Sequence, residues 1–60
     1  MLRVISAKVF GPQNDEAWSI MHVVNAEQDG QKVYCHLMAT DPMDAIQKAQ
    51  GNTSINWTRE

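Results

Sequence analysis

One dipeptide constrains this chain more than any other feature: Asp29-Gly30, set between two apolar, β-branched runs, "AWSIMHVVNA" before it and "VYCHLMA" after it. Asp followed by Gly suits the two positive φ angles of a type I′ turn, whose twist matches that of the strands it joins. A two-residue loop there fixes a register. Gln28 then faces Gln31, Ala26 faces Val33, Val24 faces Cys35, His22 faces Leu37 and Ile20 faces Ala39. Side chains alternate along a strand, so these residues share one side of the hairpin with Trp18, and Met21, Val23, Tyr34, His36 and Met38 share the other. Both sides carry apolar residues.

The second strand breaks into a helix at "TDPMD". Asp41 is a suitable N-cap, Pro42 fits the first helical position where its missing N–H costs nothing, and Asp44 puts negative charge near the positive end of the helix dipole. Gly51 is read as the stop. Pro42, Ala45, Ile46 and Ala49 form a narrow stripe at helical spacing, and its alanines predict a helix seated close on a sheet. After it, "TSINWTRE" alternates Ile55 and Trp57 with polar residues and reads as a last strand with one buried side. Before the hairpin, "LRVISAKVF" reads as a strand over Leu2 to Phe10, ended by the turn residues of "GPQNDE".

The order is therefore β-β-β-α-β: an α+β fold with a small antiparallel or mixed sheet of three to four strands and one helix on one face. A helix joining two strands of a sheet is expected to cross over in the right-handed sense, which leaves the last strand's neighbour open. With 60 residues, the chain is read as a single domain over residues 1–60 with a thin core. The one cysteine, Cys35, excludes an internal disulfide. No apolar leader or membrane-length run is visible, and a cytoplasmic protein is expected, in a host cell if the chain is viral.

A helix of about ten residues covers one side of such a sheet. The side expected beneath it carries Trp18, Ile20, Val24, Val33, Cys35 and Leu37. The other side is then bare, and exposing medium apolar side chains forgoes roughly 1.5 to 3 kcal/mol each in a domain with little to spare. Methionines adapt to irregular surfaces and Tyr is enriched at interfaces. Met21, Val23, Tyr34, His36 and Met38 are accordingly the candidate partner-binding residues. An exposed edge strand offers a second mode, by backbone pairing.

Chemistry is sparse. His22, Cys35 and His36 are the only soft metal ligands, with no CxxC or HxxxH spacing and with His36 on the opposite side from the other two, so no metal or cofactor is expected within one chain. His22 is read as a sheet-border histidine and Cys35 as a small buried apolar residue. No histidine, third orienting group and oxyanion donors can be assembled around Cys35 from local spacing, and the chain is not read as an enzyme. The acids lie mainly in loops and at the helix start, where turns and capping account for them. Five Lys and Arg against seven Asp and Glu, scattered along the chain, argue against nucleic acid as the partner. Trp18 and Trp57 fit core packing better than base stacking, because flanking cations are missing.

From Ala17 to Glu60 the layout resembles the small inhibitor of host RNA polymerase made by some podoviruses: an aromatic-led hairpin, a helix reading "ATDPMDAIQKA", and a short last strand carrying a basic residue. The resemblance implies a compact, non-enzymatic viral or mobile-element protein that binds a host machine, either the polymerase or a defence complex. In that family acidic side chains and arginines of the last strand make the contact, and Arg59 matches the arginine role. A structural homodimer burying Met21, Tyr34 and Met38 is the alternative, followed by a single-strand nucleic-acid binder using Trp18 or Trp57 with Arg3, Lys8 and Arg59.

Overall fold

Asp29 and Gly30 both take positive φ, 51° and 85°, and close a two-residue hairpin between β2 (Ile20–Gln28) and β3 (Gln31–Ala39). The pairing is antiparallel and in the expected register throughout, from Gln28 against Gln31 to Ile20 against Ala39. The computed structural model describes residues 1–10, 19–52 and 54–60. Trp18 therefore lies outside the described residues.

β1 (Leu2–Val9) pairs antiparallel with β2, and β4 (Thr58–Arg59) pairs antiparallel with β3, giving a four-stranded sheet in the order β1-β2-β3-β4. The helix α1 (Pro42–Gly51) packs on one face of this sheet, touching β1, β2 and β3. The fold is thus α+β, with an antiparallel sheet. The right-handed crossover rule governs parallel strands, and it does not apply here, because β4 returns antiparallel beside β3.

β1 contains a register step that alternation alone does not reveal. Val4 pairs with Ala26 and Ser6 with Asn25, so Ile5 is an extra residue, a β-bulge. The bulge changes the strand's phase: Leu2 and Val4 before it, and Ala7 and Val9 after it, all lie on the helix side and are half-buried. Arg3, Ile5, Ser6, Lys8 and Phe10 are exposed.

The core lies between α1 and the sheet. Val24, Cys35, Ala39, Ala45 and Ala49 form its buried cluster, with Val4, Ala7, Leu37, Ile55 and Trp57 packed against it. Ala45 and Ala49 are 0% and 1% exposed, and with only a methyl at each position the helix backbone sits close to the strands. Of the expected stripe, Ile46 is half-buried and Pro42 is exposed, because Pro42 occupies the first turn at the margin of the contact.

Asp41 caps the helix, its carboxylate accepting the Asp44 N–H at 2.7 Å, with Pro42 at the start of the first turn. Asp44 reaches back to the Thr40 N–H at 3.1 Å and outward to the Lys48 ammonium at 3.0 Å. Gly51 is the last helical residue, and the chain leaves the helix at Asn52, whose extended backbone ends it. The Asn52 side chain then accepts the Ser54 N–H at 2.8 Å. The last strand is shorter than expected. Ile55 and Trp57 are half-buried against the core as the alternation requires, but only Thr58 and Arg59 pair with β3.

Candidate functional site: the open face of the sheet

The strand registers map the face opposite the helix row by row. At one end Phe10, whose N–H donates to the Met21 carbonyl, stands in line with Met21 and Met38. Lys8, Val23 and His36 form the next row, and Ser6, Asn25, Tyr34 and Thr58 the third. Arg3, Glu27 and Lys32 form the fourth, extended by Glu60, whose N–H donates to the Lys32 carbonyl at 3.1 Å. Ile5, Ser6, Asn25, Lys32 and Glu60 border a shallow depression at this end of the sheet. The face therefore grades from apolar to charged along the strands.

Five of the six sequence-predicted binding residues come together on it. Met21 and Met38 are 37% and 48% exposed, His36 is exposed, and Val23 and Tyr34 are half-buried. Arg59 does not join them. It pairs with Val33, whose side chain belongs to the helix side, and it borders a depression with Gln28, Asp29, Gln31 and Val33.

β1 adds residues that the hairpin alone could not reveal. Phe10 and Ile5 are 55% and 53% exposed. The Phe10 ring leans across β2 onto His36, with ring centroids 4.8 Å apart and planes at 67°, and His36 in turn meets Tyr34 edge-on at 5.8 Å. Edge-to-face contacts of this kind contribute about 0.5 to 1.5 kcal/mol each. They form an aromatic ridge across an otherwise open surface. The signal that could have found Phe10 was its place at the end of an apolar strand, but its side depends on the bulge at Ile5.

The helix side holds the groups considered for chemistry. Burial pushes the Cys35 thiol up from its ordinary value, so it stays un-ionised at neutral pH, and its place in the core agrees with the apolar role expected. His22 is fully buried rather than at a sheet border. It pairs with Val9 on one side and Leu37 on the other, and both are on the helix side of the sheet. Its Nδ1 lies 2.8 Å from the Ile20 carbonyl, which fixes Nδ1 as the protonated nitrogen, and Nε2 has no partner among the described residues. Among the described residues no group of three or more His, Cys, Asp or Glu is placed to hold a metal ion.

Two grooves flank the helix. One of about 570 Å³ runs past Leu2, Val4, Ala49, Ile55 and Trp57, and one of about 470 Å³ past Leu37, Met38, Lys48 and Ile55. Trp57 is half-buried against the core, as expected of a packing residue. Arg3 also borders the groove that Trp57 lines, whereas Lys8, paired with Val23, belongs to the opposite side of the sheet. No described helix is long and apolar enough to cross a membrane.

No protein-family model, curated protein or solved structure matches the chain. The geometry of the open face is therefore the ground on which function is argued.

Proposed function

We propose that the protein is a non-enzymatic binding module that docks another protein on the face carrying Phe10, Met21, Val23, Tyr34, His36 and Met38. One observation carries this reading: the one helix among the described residues is spent on the other side, and large apolar side chains, Met38 at 48% and Phe10 at 55%, are exposed on this one. The ridge of Phe10, His36 and Tyr34 offers aromatic anchors already in contact with one another, and the methionines around it adapt to the partner's relief.

The hairpin, capped helix and short basic strand support a partner class as well: a host macromolecular machine, RNA polymerase or a defence complex, inhibited or modulated by a viral protein. Arg59, on the helix side, would then make a separate contact at the sheet's end. The test uses a photo-crosslinking phenylalanine analogue at position 38 and, as a control, at position 47 on the helix surface. With purified bacterial RNA polymerase or a defence complex, position 38 is expected to crosslink to a defined subunit and position 47 to none. Equal labelling from both positions refutes the assignment of the face, and labelling of the machine from neither refutes the machine as its occupant.

A further inference from the structure

The charged row of the open face alternates in sign across all four strands: Arg3 on β1, Glu27 on β2, Lys32 on β3 and Glu60 beside it after β4. An alternating row of even length has a particular symmetry. Rotation by 180° about an axis parallel to the strands, lying between β2 and β3, reverses the order of the strands and keeps the rows in place. Positive then falls on negative at every position.

From this self-complementarity we infer that the face is a two-fold interface between two copies of this chain. The inference rests on reading the open face as the docking surface, and it assigns that surface to a second copy in place of a host protein. In the pair, β2 lies over the second copy's β3: Glu27 meets the second copy's Lys32, Val23 meets its His36, and Met21 meets its Met38. β1 lies over the second copy's β4, which brings Arg3 to its Glu60. Phe10, leaning over β2 against His36, falls near the axis and meets its own counterpart. The other in-plane two-fold, perpendicular to the strands, sets the charged row over Phe10, Met21 and Met38 and leaves both without a match. Only one arrangement satisfies both ends of the face.

Area sets the strength. Three strands about 4.8 Å apart, with rows spanning about seven residues and the short β4 at one corner, give a face of roughly 380 Å² in plan. A standard interface takes about 800 Å² of accessible surface from each partner, so this one is at the small end, and self-association in the micromolar range is expected. Neither glutamate nor lysine of the central pair is locked within its own chain. The Arg3 guanidinium reaches Glu27 only at 4.0 Å, and no salt bridge of Lys32 is found among the described residues.

The experiment is a charge swap followed by mixing. Glu27→Lys places like charges at both symmetry-related contacts of a dimer, and Lys32→Glu does the same with the opposite sign. Each is expected to weaken self-association, measured by sedimentation equilibrium, by about tenfold or more. Mixed one to one, the two variants are complementary at both contacts. They should form a heterodimer with affinity close to the wild-type dimer, visible by native mass spectrometry. A role for the pair within one chain predicts no such rescue. Met38→Glu, at an exposed position remote from the charged row, provides a second variant and should also give monomers, with circular dichroism confirming that its fold is retained.

A wild-type chain that sediments as a monomer at about 1 mM overturns the inference. So does mixing that gives no heterodimer. Crosslinking from position 38 to another protein, combined with a monomeric wild type, overturns the homodimer and leaves the docking face standing.

Discussion

Asp44 joins sequence to stability at the scale of one carboxylate. The Lys48 ammonium, hydrogen-bonded to it at 3.0 Å, and the Thr40 N–H both hold its proton affinity below the ordinary aspartate value, near 3.9. A group whose folded-state pKa is depressed stabilises the fold fully above the unfolded value and loses that contribution as pH falls through the folded one. Asp44→Asn should therefore lower the urea midpoint at pH 7, and the gap to wild type should close as the pH drops below about 4. A gap of equal size at both pH values would mean that the charge is immaterial. The sequence displayed half of this arrangement: the cap at Asp41 and the favourable charge of Asp44 follow from position alone, and the bond to Thr40 depends on how β3 enters the helix. His22 shows where local reading stops. Its side of the strand was legible, but full burial depends on what packs above it, which no spacing records.

The hairpin is the element most completely written in the sequence. Turn chemistry fixed its register, and the register fixed both faces. Gly30 sits at φ 85° with open space where a Cβ would project, so the cost of Gly30→Ala is conformational and not steric. That substitution should destabilise by about 1 kcal/mol, a fall of roughly 4 to 8 °C in Tm for a domain of this size. An unchanged Tm would show that the turn relaxes to another type. β1 was legible as a strand but not in its phase, because bulges arise from pairing with a neighbour and leave no alternation to read. Ile5 tests this directly. Its side chain is 53% exposed, so Ile5→Ala should cost little, and deleting Ile5 should also leave a folded protein, because Val4 and Ser6 already face the adjacent residues Ala26 and Asn25 and strict alternation then keeps Leu2 and Val4 inward and Arg3 outward. Loss of folding in the deletion variant would show that the phase of β1 does not rest on the extra residue at the bulge. β4 was overestimated. Alternation correctly placed Ile55 and Trp57 against the core, but side-chain burial does not require backbone pairing, and the ladder covers only Thr58 and Arg59.

For the molecule as a whole, the governing quantity is coverage. Among the described residues, the buried ones are small or medium: Val24, Ala26, Val33, Cys35, Ala39, Ala45 and Ala49, with His22 beside them. A chain of 60 residues buries only about 60% of the surface its unfolded form exposes, and such a core leaves slender stability. Binding at the open face raises stability by mass action, so the same residues serve association and persistence of the fold. The candidate site was legible on β2 and β3 because both follow from one turn. Phe10, Lys8 and Arg3 escaped, since β1 reaches the face only through long-range pairing. Their phase has a bearing on how relatives of this chain should be recognised. Within β1, exchanging a letter alters one side chain, but losing or gaining a letter away from the bulge trades inside for outside along part of the strand. A homologue with strict alternation and one residue fewer before the first turn could preserve the same layers, and an ungapped alignment would set its core against this protein's surface.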